Sequence, residues 1–203
     1  MTRRLWLVRH AVPLVAPGLC YGALDVPADL AATADAARRL AQALPHALAA
    51  AFHSPLQRCE QLAHALIAPR PDLACEPDGR IAEMDFGAWE GRPWDAIARA
   101  DIDAWTQRFP DPRPSGGDSL AAMLQRVGAA LDEARKTSRD RDGDVLWITH
   151  AGVARCVQWL QAEPGRMPRA DEWPIPAPGY GEWMTVPLGD GTSGAIAEHR
   201  QPA

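Results

Sequence analysis

Two apolar runs, far apart in the chain, each end on a histidine that is followed by a small residue. The first run, 5–8, leads through Arg9 to His10, and the second run, 145–148, leads to His150. Short runs of this kind indicate buried parallel strands, and open α/β sheets bind their ligands at the carboxyl ends of such strands. We therefore expect both imidazoles to share one pocket, where a neutral imidazole nitrogen can attack phosphorus.

A second arginine is predicted to join this pocket. Ser54 and Pro55 have the residue types of a helix N-cap and first helical position, which places Arg58 in the first turn of that helix. A helix start presents free N–H groups and a partial positive charge, so Arg58 adds a guanidinium to an anion site. Arg58 and Arg9, together with the two histidines, suit the oxygens of a tetrahedral phosphate.

Attack on a phosphate ester also needs a proton donor for the leaving alcohol. Glu83 is the candidate, because it lies among small and aromatic residues in segment 81–87, at the start of a stretch predicted to cover the site. Trp89, Trp94 and Trp105 follow in the same stretch. They either stack on a flat substrate ring or pack the covering segment.

The elements that position these residues alternate along the chain. Strands are predicted at the two histidine runs and at 49–52. Helices are predicted at 30–44, at 54–67, at 119–131 with Asp118 and Ser119 as its cap, and after His150. Weaker edge strands are predicted at 182–187 and 195–199. This alternation predicts a three-layer α/β/α sandwich with a mostly parallel sheet. We expect one domain over residues 1–203, with a small covering insertion at about 69–117.

The composition limits the classes of function. The chain has 47% hydrophobic and 23% charged residues and a formal net charge of −5, which indicates a soluble globular protein without the basic surface of a nucleic-acid binder. No stretch has the length of a signal peptide or membrane span, so we expect a cytoplasmic protein. The four cysteines are widely spaced and form no metal or disulfide pattern. We expect no metal and no cofactor.

Taken together, the motifs resemble the histidine phosphatase superfamily, whose members include the cofactor-dependent phosphoglycerate mutases. The motifs occur in the family's order at 7–11, 54–59, 83–91, 117–119 and 149–153. The resemblance implies that His10 becomes phosphohistidine, that Arg9, Arg58 and His150 bind the phosphoryl oxygens, and that Glu83 is the acid. It also implies a metal-independent phosphomonoesterase acting on a small metabolite.

The finer resemblance, in segments 20–27 and 83–91, is to α-ribazole phosphatases of cobalamin synthesis. The alternatives are a phosphoglycerate mutase, a broad-specificity phosphatase and an inactive phosphate-binding regulatory protein. Three positions depart from the family pattern. Ala11 replaces the usual glycine after the nucleophile, and Pro13 and Ala16 replace the usual threonine and asparagine. The last two changes remove polar contacts to phosphate. The oligomeric state is left open.

Overall fold

The computed structural model describes residues 2–173 and 175–189 of the 203-residue chain. Within these residues the chain forms five strands and five α-helices. In chain order they are β1 (Arg4–Arg9), α1 (Leu30–Ala43), β2 (Leu48–His53), α2 (Gln57–Ile67), β3 (Cys75–Pro77), α3 (Arg99–Gln107), α4 (Leu120–Asp140), β4 (Asp144–Thr149), α5 (Ala151–Ala162) and β5 (Trp183–Pro187). The edge strand predicted at 195–199 lies outside the described residues.

The strands form one sheet in the order β3-β2-β4-β1-β5. All neighbouring pairs are parallel except β1 and β5, which are antiparallel. Side chains of β1 alternate between the two faces, because successive residues of a strand point to opposite sides. Leu5 and Leu7 pack with α4 and α5, whereas Trp6 and Val8 pack with α1 and α2. The sheet is therefore covered on both faces, which confirms the α/β/α sandwich.

The sequence predicts that Ser54 and Ser119 cap helices with their side chains, and the prediction is correct for Ser119 only. The Ser119 hydroxyl accepts a hydrogen bond from the Ala122 N–H at 3.2 Å and caps α4, as predicted. Ser54 does not cap α2, which starts at Gln57 after Leu56. The Ser54 N–H donates to the carbonyl of Ile148 at 2.9 Å. The Ser54 hydroxyl accepts from the Leu56 N–H at 3.3 Å and lies 2.8 Å from Nε2 of His150, so it bonds outside the helix.

The segment predicted to cover the site contributes to the sheet as well. Its strand β3 pairs with β2 at the sheet edge, and Ile81 and Met84 are buried in the core beneath α4 and α5. The rest of the segment consists of α3 and short 3₁₀ turns at Gly79–Ile81, Gly87–Trp89, Trp94–Ala96 and Pro114–Gly116. Among the described residues, none of the helices combines the length and apolar character needed to cross a membrane.

Candidate active site

The carboxyl ends of β1 and β4 bring the two predicted histidines together. Arg9 and Thr149 are partners in the parallel register, and the His10 N–H donates to the Thr149 carbonyl at 3.1 Å. The ring centroids of His10 and His150 are 5.2 Å apart. Parallel pairing of two strands that are distant in sequence therefore places the two imidazoles side by side at the carboxyl ends of β1 and β4.

His10 is held as a neutral imidazole with one free nitrogen. The residue is 3% exposed, and Nδ1 lies 2.7 Å from the carbonyl oxygen of Ala11. Because a carbonyl oxygen only accepts, Nδ1 carries the hydrogen and Nε2 keeps a lone pair. Burial, and then the nearby charge of Arg58, lower the pKa of His10 to about 3. At neutral pH, Nε2 is therefore an available nucleophile.

His150 is also buried and neutral. Its Nε2 lies 2.8 Å from the Ser54 hydroxyl and 3.5 Å from the Cys59 thiol sulfur. Burial is the largest cause that lowers the pKa of His150 well below its usual value, followed by His10 and then Arg58. The sequence predicted Ser54 only as a helix cap and missed its contact with His150, although Ser54 follows β2, the parallel neighbour of β4, and so lies at the same ends of the strands.

Arg58 and Arg9 each have a buried Nε–H that lacks an acceptor among the described residues. Arg58 is fully buried, with Nη1 donating to Leu24 O at 2.9 Å and Nη2 to Gly22 O at 2.5 Å. Arg9 donates from Nη1 to Pro178 O at 3.1 Å. Both Nε atoms are buried and have no hydrogen-bond partner within the described residues. Buried donors are rarely left unpaired, so the two guanidinium groups are arranged for an added acceptor such as an oxyanion.

The carboxylate of Glu83 lies against the first turn of α5, the helix that follows His150. Its Oε2 accepts a hydrogen bond from the Gly152 N–H at 3.1 Å, and its Oε1 accepts one from the Met84 N–H at 3.0 Å. A Cβ at position 152 would lie 2.1 Å from Oε1 of Glu83, so only glycine admits the carboxylate here. Arg126 of α4 donates to the Glu83 carbonyl at 3.0 Å and fixes the backbone of the segment.

Two tyrosines next to the arginines were not predicted from the sequence. The Tyr180 ring centroid is 5.6 Å from that of His10 and 3.8 Å from the Arg9 guanidinium carbon. The Tyr21 ring centroid is 5.5 Å from the Arg58 guanidinium carbon. The two hydroxyls are 2.6 Å apart. Burial raises the pKa of Tyr21 to about 12. These two side chains border the site from two loops that no sequence motif connects.

The three predicted tryptophans pack in a cluster of their own within the covering segment. Trp89 and Trp105 have ring centroids 5.9 Å apart, and Trp94 packs edge-on against Phe86 at 5.4 Å. Trp89 is 4% exposed. The ring contacts of His10, by contrast, are with His150 and Tyr180. Substrate contact by a tryptophan therefore stays a prediction.

The arrangement has the parts needed for transfer of a phosphoryl group. The carboxyl ends of β1 and β4 bring together the lone pair of His10 Nε2, two arginines with unpaired donors and the carboxylate of Glu83. In the described part of the chain, no group of three or more His, Cys, Asp or Glu side chains is placed to hold a metal ion.

Comparison with known proteins agrees with this geometry. Residues 5–173 match the model of the histidine phosphatase superfamily, branch 1. The chain is 34% identical over 160 residues to phosphoserine phosphatase 1 of Hydrogenobacter thermophilus, a match that covers 76% of this chain and 74% of that protein.

Solved structures share the fold. TTHB049 from Thermus thermophilus has a TM-score of 0.67 and 29% identity, covering 90% of this chain and 92% of that one. The mycobacterial glucosyl-3-phosphoglycerate phosphatase Rv2419c has a TM-score of 0.72 and 21% identity, with coverage of 91% and 90%. The chain belongs to branch 1 of the histidine phosphatase superfamily and is a phosphoric monoester hydrolase.

Proposed function

We propose that this enzyme hydrolyses a small phosphomonoester through a phosphohistidine formed on Nε2 of His10. The observation that carries the proposal is the pair of buried Nε–H donors on Arg9 and Arg58, which lack acceptors in the described residues. A phosphoryl group beside His10 supplies oxygens to both donors. It also places phosphorus next to the free lone pair of Nε2.

The reaction then proceeds in two displacements. His10 Nε2 attacks phosphorus, the bond from phosphorus to the ester oxygen breaks, and the carboxyl group of Glu83 gives its proton to the departing alcohol. In the second displacement the Glu83 carboxylate takes a proton from water, whose oxygen attacks phosphorus. The bond from phosphorus to Nε2 breaks, and inorganic phosphate leaves. Arg9, Arg58 and His150 bind the phosphoryl oxygens in both displacements.

The test is rapid quenching after mixing with ³²P-labelled substrate. We expect protein-bound label that survives alkali and is lost in acid, and no label in His10→Ala. A matched control is His53→Gln. His53 also ends a strand, is buried, and has Nδ1 2.8 Å from the next carbonyl, yet its replacement should leave labelling intact. Acid-stable label, or label that persists in His10→Ala, contradicts the proposal.

Two similarities of this chain favour different substrates. The relative from Hydrogenobacter thermophilus is named for phosphoserine, whereas the similarity of segments 20–27 and 83–91 favours α-ribazole 5′-phosphate and a place in cobalamin synthesis. We propose a phosphorylated small metabolite as the substrate class. Assays of kcat/KM on L-phosphoserine, α-ribazole 5′-phosphate and the phosphoglycerates decide among them. Isomerisation of a phosphoglycerate without phosphate release would instead identify a mutase.

A further inference from the structure

Glu90 holds the loop that contacts Arg58. Its carboxylate follows the turn Gly87–Trp89 and accepts hydrogen bonds from four backbone N–H groups. Oε1 accepts from Ala23 at 3.0 Å and from Phe86 at 2.9 Å. Oε2 accepts from Gly22 at 2.8 Å and from Leu24 at 3.1 Å. One carboxylate therefore ties loop 22–24 to the covering segment.

The same loop supplies the carbonyl groups that hold Arg58. Gly22 O accepts from Nη2 and Leu24 O accepts from Nη1. The peptide group between residues 22 and 23 therefore bonds to both Arg58 and Glu90. Its C=O meets Arg58, and its N–H, on Ala23, meets Glu90. In a trans peptide these two groups point in opposite directions and form one dipole. That dipole has its negative end at the cation and its positive end at the carboxylate.

This arrangement explains how Arg58 can be buried. Within the described residues no carboxylate forms an ion pair with Arg58, and both of its terminal nitrogens bond to backbone carbonyls. A buried charge without compensation is costly. Glu90 supplies a compensating charge one peptide group away, and leaves the Nε–H of Arg58 without a competing acceptor.

We propose that Glu90 is a positioning residue, which acts through the 22–23 peptide to fix and polarise the carbonyl that orients Arg58 toward the phosphoryl group. The inference rests on the phosphate site of the proposed function. Gly22 fits the same account, because a Cβ at this position would lie 1.8 Å from the Met84 carbonyl oxygen. The loop can approach the covering segment this closely only with glycine there.

The experiment compares Glu90→Gln with wild type. Loss of the charge should weaken competitive inhibition by vanadate and lower kcat/KM for p-nitrophenyl phosphate by about 10- to 100-fold, the range for a hydrogen bond to a charged group. The matched control is Asp85→Asn, from the same segment. The Asp85 side chain accepts from Gly87 N at 2.7 Å, and within the described residues it forms no hydrogen bond with loop 22–24. This control should stay within about threefold of wild type.

A double-mutant cycle separates positioning from general support of the fold. Arg58→Lys removes the Nε–H donor that Glu90 is proposed to orient. In this background Glu90→Gln should lower kcat/KM for p-nitrophenyl phosphate by less than about threefold. Equal losses in both backgrounds would overturn the proposal. So would wild-type vanadate inhibition in Glu90→Gln.

The variant Glu90→Asp keeps the test decisive if Glu90→Gln does not fold, since it retains the charge on a shorter side chain. We expect vanadate to inhibit Glu90→Asp more tightly than Glu90→Gln where both fold, and Glu90→Asp to show the same coupling to Arg58→Lys. Additive behaviour of Glu90→Asp contradicts the inference. If the wild-type enzyme neither binds vanadate nor forms phosphohistidine, that result would instead contradict the proposed function.

Discussion

Replacing Gly152 by alanine should separate proton donation from phosphate binding. The added Cβ would lie 2.1 Å from Glu83 Oε1, whereas ordinary contacts begin at 3.4 Å, so the carboxylate must move by more than 1 Å. The carboxylate is the end of a flexible side chain, so the fold should absorb this movement. We expect the free energy of unfolding to change by less than about 1 kcal/mol.

The catalytic loss should be much larger than the loss of stability. A 1 Å displacement of a catalytic group costs about 100-fold in rate, or about 2.7 kcal/mol. We therefore expect kcat on an alkyl phosphate such as L-phosphoserine to fall about 100-fold. On p-nitrophenyl phosphate it should fall only severalfold, because that leaving group needs little protonation.

Steady-state assays of both substrates, with thermal denaturation of each protein, test this prediction. The matched control is Gly128→Ala in α4, where the added Cβ would meet Leu160 at an ordinary 3.7 Å. This control should keep both activities. Equal losses on the two substrates in Gly152→Ala, or no loss on the alkyl phosphate, would refute the assignment of Glu83 as the acid.

Three further predictions follow from the site. The pKa of His10 is about 3 in the folded protein and 6.5 ordinarily, so the unfolded chain takes up this proton at a higher pH than the folded protein does. The free energy of unfolding, measured in urea, should therefore decrease as the pH falls from 6.5 toward 3, and this decrease should be smaller in His10→Gln. Ser54→Ala removes the hydrogen bond to His150 and should lower kcat/KM about 10-fold, whereas Ser119→Ala should lower the melting temperature with kcat/KM unchanged. Dialysis against EDTA should leave activity intact, and recovery only with a divalent ion would contradict this.

The sequence predicted those parts of the site that depend on regular elements. The runs before His10 and His150 are apolar on both faces, as central parallel strands must be, and their pairing follows from that burial. Arg58 was placed correctly near a helix start even though Ser54 was misread as its cap. Ser54 was misread because a serine before a proline gives the same local pattern whether or not the strand continues.

The residues that were missed depend on contacts between distant loops. Glu90 bonds to the 22–24 loop, and Tyr21 meets Tyr180 across more than 150 positions of sequence. Such contacts have no periodicity along the chain, so no pattern of apolar and polar residues predicts them. Strand β3 was missed for a simpler reason, since its three residues are too few to show alternation.

The position of β1 in the sheet also bears on biosynthesis. This strand is synthesised before the other four strands of the described sheet, yet both of its neighbours, β4 and β5, are the last two of these strands in chain order. More than 130 residues must be made before residue 9 can find its partner, residue 149. Until then an apolar strand has no sheet to join, and contacts of such high sequence separation form slowly. Enzymatic turnover by this protein therefore requires synthesis to continue at least through β4, and nascent chains arrested before β4 should be inactive.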